Sequence, residues 1–193
     1  MESLELPFCC TLAAPRKAGK SYAIKTMLQN GLADKFDYVV ILCPSLKLND
    51  DYDWCLESIW DAEDKGIPPK YYLISDPSVE IIEQIIDQNR QLQEMVMEKQ
   101  RAVNKRKRKH WVISHEDESV DDEYIYTESA PDVLLVLDDC LGEPGLINFG
   151  GILDHVAVKG RHYKVSSFVV TQRLSGCSRS IRLTSDAFFL FDV

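Results

Sequence analysis

The chain has 193 residues, 45% of them hydrophobic, and a formal net charge of −9. That length supports one well-packed domain and excludes two with independent cores, while the negative charge excludes attraction to nucleic acid by the field of the whole monomer, leaving only local basic features for such a contact. The cysteines Cys9, Cys10, Cys43, Cys55, Cys140 and Cys177 form no Cys-x-x-Cys pair, and most read as small buried hydrophobes, which suits a reducing compartment and argues against a structural zinc site.

The acidic N-terminus shows no signal peptide, and no apolar run approaches the roughly 20 residues of a membrane span; a soluble intracellular protein is expected. Phe8 to Ala13 is an apolar run expected to form a first strand. It leads directly into Ala14-Pro15-Arg16-Lys17-Ala18-Gly19-Lys20-Ser21, close to the pattern Gly-x-x-x-x-Gly-Lys-Ser/Thr. A strand, a loop whose N–H groups wrap phosphates and a helix N-terminus facing the anion together make a nucleotide-binding loop. Lys20 is then expected at the β and γ phosphates of ATP, and Ser21 on Mg²⁺. Ala14 stands where the pattern has its first glycine, a substitution that its small methyl group makes tolerable. The solitary alternative is a strand–turn–helix with a solvated lysine.

Lys20 to Leu32 has helical periodicity, with Gly31 at its end. Asp37 to Pro44 is an apolar run expected to be a strand buried on both faces. Asp51 to Trp60 reads as helix, Gly66 to Pro69 as a turn, and Tyr71 to Ser75 as a short strand at the sheet edge. Ser78 is placed as the N-cap of a long helix running to about Arg101, on which Val79, Ile82, Ile85, Ile86, Leu92, Met95, Val96 and Val103 recur at helical spacing. Lys105 to Lys109 is a basic cluster, and Glu116 to Glu123 is acidic and turn-like. Residues 78–130 are accordingly expected to form an inserted, mobile segment within a single domain. The basic cluster has three readings: a solvated helix end favoured by the helix dipole, a nuclear localisation signal, or a contact to DNA phosphates.

Val133 to Leu137 returns to a buried strand that ends in Asp138-Asp139, Gly145 to Val158 reads as helix, and strands are expected at Ser166–Val170 and Ala187–Phe191. Alternating strands and helices indicate an α/β fold with a mostly parallel sheet. Ligands bind at the carboxyl ends of such strands, which is where the two aspartates fall. Asp138 is expected to hold Mg²⁺ through water or through Ser21, and Asp139 to polarise the attacking water. Taken alone, the pair equally fits carboxylates capping a turn. Gln172, after the next strand, taken alone reads as a surface glutamine, but its position in the series places it to touch the γ-phosphate or the water. Arg161, Arg173, Arg179 and Arg182 are surface arginines, or one of them stabilises phosphate charge across a subunit boundary.

The set Ala14 with Gly19-Lys20-Ser21, Val133 with Asp138-Asp139, Gly160-Arg161-His162-Tyr163, Ser167 to Gln172, and Ile181-Arg182 resembles the poxvirus-type genome-packaging ATPases of large DNA viruses and virophages, in the FtsK/HerA superfamily. The resemblance covers most of residues 6–193 outside 78–130. It implies an additional-strand, RecA-like P-loop NTPase with sheet order 5-1-4-3-2, a ring of five or six copies, and ATP-driven, Mg²⁺-dependent translocation of double-stranded DNA into a preformed capsid. Capsid or portal proteins are the implied partners, and host cytoplasm, viral factory or virion the implied location, or the nucleus if the basic cluster is a localisation signal. It assigns Lys20 and Ser21 to phosphate and metal, Asp138 to the metal, Asp139 as base, Gln172 as sensor, and Arg182 or Arg161 as a phosphate or intersubunit arginine. Ala14, an aspartate where the base is usually glutamate, and an end soon after Phe191 depart from the pattern; the last implies a truncated C-terminus. The rivals are a GTPase, for which Asp139-Cys140-Leu141-Gly142 lacks an Asn-Lys-x-Asp partner, a nucleoside or nucleotide kinase, and an ATP-binding module without turnover.

Overall fold

A computed structural model describes residues 4–48, 50–113, 129–140, 146 and 151–191, with the backbone alone for 103–113. Strands β1 (Cys9–Ala13), β2 (Tyr38–Leu42), β3 (Tyr71–Ile74), β4 (Val133–Asp138), β5 (Val165–Thr171) and β6 (Ala187–Leu190) form one sheet in the order β3-β2-β4-β5-β1-β6. Every neighbouring pair is parallel. Parallel pairing requires crossovers, and the helices supply them: α1 (Lys20–Met27), α2 (Leu56–Asp64), α3 (Val79–Ile113), α4 (Ile152–Lys159) and α5 (Arg179–Thr184).

The expected order 5-1-4-3-2 is corrected in one respect. Five strands keep it, as β6-β1-β5-β4-β2, and β3 adds a sixth at the outer edge of β2. The addition is held by backbone bonds, Val39 N–H donating to the Lys70 carbonyl and Cys43 N–H to that of Ile74. The edge position anticipated for the Tyr71 run is the observed one. β5 lies between β1 and β4, the defining arrangement of the additional-strand type.

Strand residues alternate between two cores. Leu12, Val39, Ile41, Leu134, Val136, Phe168 and Val170 point to the face covered by Ile24 and Leu28, with Phe36, Tyr52 and Cys55 completing it. Val40, Leu42, Leu135, Leu137 and Val169 point to the other, against Ile82 and Ile86 of α3, Leu153 and Val156 of α4, and Ile181 of α5. Burial of each such side chain contributes about 1.5–3 kcal/mol.

Several boundaries differ from the sequence expectation. The first helix leaves α geometry after Met27 for a π turn, Leu28–Leu32, in which Gly31 takes φ 95°, a conformation that favours glycine. Ser78 does cap α3, its hydroxyl accepting from Ile81 N–H at 3.3 Å, but the helix continues to Ile113 instead of stopping near Arg101. Lysine and arginine are good helix formers and suit a C-terminal turn, so the basic run extends the helix. Its first turns are core: Ile82 and Ile86 are buried, and buried Asn89 donates to the carbonyls of Pro131 and Tyr163. Leu92, Met95 and Met97, farther along, are half-exposed. The acidic stretch 116–123 and most of the expected 145–150 helix start lie outside the described residues; α4 begins at Ile152. Among the described residues no helix is long and apolar enough to cross a membrane.

Gly160 opens a short 3-10 turn, Gly160–Tyr163, ahead of β5, and a Cβ there would lie 2.8 Å from the Val165 carbonyl oxygen. Gly160→Ala is therefore expected to cost about 1–3 kcal/mol. The check is a lower denaturant midpoint at unchanged m-value; an unshifted midpoint contradicts the close approach.

Candidate functional site

The loop after β1 is built for an anion. Ala14 extends the strand ladder, its N–H donating to the Thr171 carbonyl at 3.1 Å, so this position has no need of the left-handed freedom that the glycine would offer. A tight turn follows, with Ala18 N–H toward the Pro15 carbonyl at 3.4 Å and Lys17 at φ 63°. Gly19 caps α1 at φ 81°, where a side chain would be strained. Free N–H groups of the first helical turn thus face the loop, as phosphate binding requires. Lys20 Nζ bridges the loop's own start, donating to the carbonyls of Ala14 at 3.2 Å and Pro15 at 3.1 Å.

The two aspartates reach this loop from β4. Ser21 Oγ donates to Asp138 Oδ2 at 3.3 Å, and Tyr52 Oη donates to the same oxygen at 2.7 Å. Asp138 is 4% exposed, and burial is the main cause that pushes its carboxyl above the ordinary aspartate range, against the lowering effect of the Tyr52 and Ser21 hydrogen bonds. Burial, and then the neighbouring Asp138 charge, push the Tyr52 hydroxyl far up, so it remains a donor. The hydroxyl and carboxylate oxygens of Ser21 and Asp138 are the hard donors that Mg²⁺ takes together with phosphate oxygens, and they fit that ion.

Asp139 lies just beyond the strand at φ 55°, with its N–H donating to the Val170 carbonyl at 3.3 Å. That left-handed step, unusual for a residue with a Cβ, turns the exposed Asp139 side chain away from buried Asp138. Gln172 Nε2 donates to Asp139 Oδ1 at 3.0 Å, and Arg16 Nε donates to Gln172 Oε1 at 3.2 Å. Lys20, Ser21, Asp138, Asp139 and Gln172 therefore meet, as the sequence spacing anticipates.

Arg161 stands apart from them within this chain. Arg161 donates to the Asp186 carboxylate at 2.6 Å and to the Thr184 carbonyl at 3.1 Å. Asp186 also binds the N–H of Cys9, the first residue of β1, so Arg161 sits at the amino end of the sheet, about 16 Å of strand from the loop. Within this chain Arg161 is thus held by an ion pair with Asp186. Arg182 is exposed on α5. One participant was missed by sequence reasoning, and a second was placed only in the phosphate-binding loop. Tyr52 is 1% exposed although it lies in Asp50-Asp51-Tyr52-Asp53, and an aromatic residue inside an acidic run is the only signal that marks it. Arg16 was seen only as part of the loop.

No protein-family model matches the chain, and no curated protein is significantly similar to it. Solved structures do match. The genome packaging NTPase B204 of Sulfolobus turreted icosahedral virus 2, in complex with ATP-gammaS, is similar at 15% identity and TM-score 0.56 over 98% of this chain and 77% of that one. The ATPase 2 and 3 region of Thermomonospora curvata EccC is similar at 17% identity and TM-score 0.57 over 94% of this chain, which spans 30% of that one. The corresponding region of EssC from Geobacillus thermodenitrificans matches at 16% identity and TM-score 0.53 over 96% of this chain and 32% of that one.

The buried Asp138 charge has a signed consequence for stability. Well below the ordinary aspartate range the carboxyl is protonated in folded and unfolded chains alike and costs nothing; as pH rises, the unfolded chain ionises first and stability falls. In metal-free buffer at about pH 7, Asp138→Asn is expected to raise the thermal midpoint by about 2–4 °C, the gain shrinking toward about pH 4. A gain that grows on acidification contradicts the assignment. The chain thus has the fold of an additional-strand P-loop NTPase, shared with the viral packaging NTPase B204 and with the ATPase regions of EccC and EssC.

Proposed function

We propose that this chain is a Mg²⁺-dependent ATPase that translocates double-stranded DNA and packages a viral genome, working as a ring. The observation that carries the ATPase reading is the meeting of Lys20, Ser21, Asp138, Asp139 and Gln172 at the carboxyl ends of β1, β4 and β5. Bound Mg²⁺ would neutralise charge developing on the β and γ phosphates. Ser21 and Asp138 would hold the metal, and Lys20 would exchange its bonds to the loop carbonyls for the phosphates. Asp139, exposed and turned out of the strand, accepts a proton from the attacking water, and Gln172 orients that water. Arg161 is committed to Asp186, so Arg182 is the arginine we assign to a neighbouring subunit's phosphate.

The DNA-packaging part rests on the motif resemblance and on the similarity to a viral packaging NTPase across nearly the whole chain. The basic run Lys105–Lys109 on α3 is a second support. Only local positive charge draws DNA to a chain of net charge −9, and the run Lys105–Lys109 is such a feature.

ATP turnover measured with and without duplex DNA, alongside solution sizing, tests the reading. DNA-stimulated hydrolysis by a ring is expected, whereas phosphate transfer to a nucleoside monophosphate replaces the motor with a kinase. Lys20→Ala should abolish nucleotide binding or turnover. Asp139→Asn should keep ATP bound and reduce hydrolysis by about 100-fold or more; normal turnover would remove Asp139 as base.

A further inference from the structure

We propose that Arg16 is a positioning residue that fixes which way the Gln172 carboxamide faces. This rests on the ATPase reading for its consequence, but its physical basis is independent of nucleotide. Three side chains from three separate strand ends form one line: Arg16 Nε to Gln172 Oε1 at 3.2 Å, then Gln172 Nε2 to Asp139 Oδ1 at 3.0 Å. A carboxamide has an oxygen that accepts and a nitrogen that donates, and in isolation either end can face either neighbour. Between these two neighbours it cannot. A guanidinium only donates and a carboxylate only accepts, so a flipped Gln172 would set donor against donor and acceptor against acceptor.

The consequence is geometric. With Oε1 held by Arg16 and one N–H spent on Asp139, the second N–H of Gln172 is the group left to face a water or phosphate oxygen. Gln172 is thereby a donor of defined direction beside the base. Arg16 stands at the second position of the turn from Pro15 to Ala18, whose third residue, Lys17, is left-handed at φ 63°; the turn leads Arg16 across toward the end of β5. Any closure of the loop on a triphosphate therefore moves the residue that orients the sensor. Loop and sensor are mechanically linked without a contact between Arg16 and Asp139.

The predicted pattern is specific to a donor at position 16. Arg16→Ala lowers kcat by about 10- to 100-fold while KM for ATP changes by less than about threefold, because orientation and not binding is lost. Arg16→Lys, still a pure donor, recovers part of kcat. Arg16→Gln, which both donates and accepts, cannot impose polarity and behaves like alanine. On a Gln172→Ala background, Arg16→Ala changes kcat by less than about twofold, since there is nothing left to orient. In nucleotide-free protein, the Gln172 side-chain amide resonances shift and exchange faster with solvent in Arg16→Ala and keep their wild-type values in Arg16→Lys. Full additivity with Gln172→Ala, or amide resonances unmoved by Arg16→Ala, overturns the proposal. If the wild-type protein hydrolyses no ATP, the ATPase reading falls and the amide measurement still decides the orientation.

Discussion

The placement of β5 between β1 and β4 is the constraint on which the rest of this molecule depends. The strand that delivers the loop and the strand that carries the aspartates are not hydrogen-bonded to each other, and β5 pairs with both. Its register aligns Ala13 with Thr171 and Asp138 with Val170, so all three strands finish at one level. Because every strand runs the same way, their carboxyl ends share one edge. Side chains separated by well over a hundred residues, such as Arg16 and Gln172 or Ser21 and Asp138, become hydrogen-bond partners there. Reversing any one of these strands would place its functional residues at the opposite edge, where Arg161 and Asp186 are found.

Within that edge the two adjacent aspartates are given different environments by one backbone step. Asp138 closes β4 inside the core, under Tyr52, and its ionised form is disfavoured by burial. Asp139 leaves the strand in the left-handed region and stands exposed. A buried carboxylate held by two hydroxyl donors is suited to a fixed cation, and an exposed one to proton exchange with water. The fold accepts a stability cost at Asp138 to obtain this, a familiar relation between site residues and stability.

Much of the fold was legible from local pattern. The apolar runs that became β1, β2, β4 and β5 are buried on both faces, and such runs need no alternation to be recognised. Gly19-Lys20-Ser21 and Asp138-Asp139 were legible because their chemistry demands those residue types at a strand end. Helix ends were less so: α1 stops at Met27 because Gly31 permits a left-handed step, and α3 overruns Arg101 because Lys and Arg propagate helix well. The Gly160 to Tyr163 motif gave no hint of its place in the fold, which is the turn entering β5, with Gly160 pressed on the Val165 carbonyl and Arg161 paired to Asp186.

The sequence by itself determined the α/β class, the Gly19-Lys20-Ser21 loop after the first strand, the pair of carboxylates and the glutamine after β5, since each is carried by contiguous residues whose local chemistry has few alternatives. Only the tertiary structure decided that Tyr52 holds Asp138, that Arg16 holds Gln172, and that Arg161 lies about 16 Å of strand from the loop. Those facts depend on which chain segments meet across the sheet. Pairing at separations of 86 and 156 residues is set by strand order and register, which no local window of sequence contains.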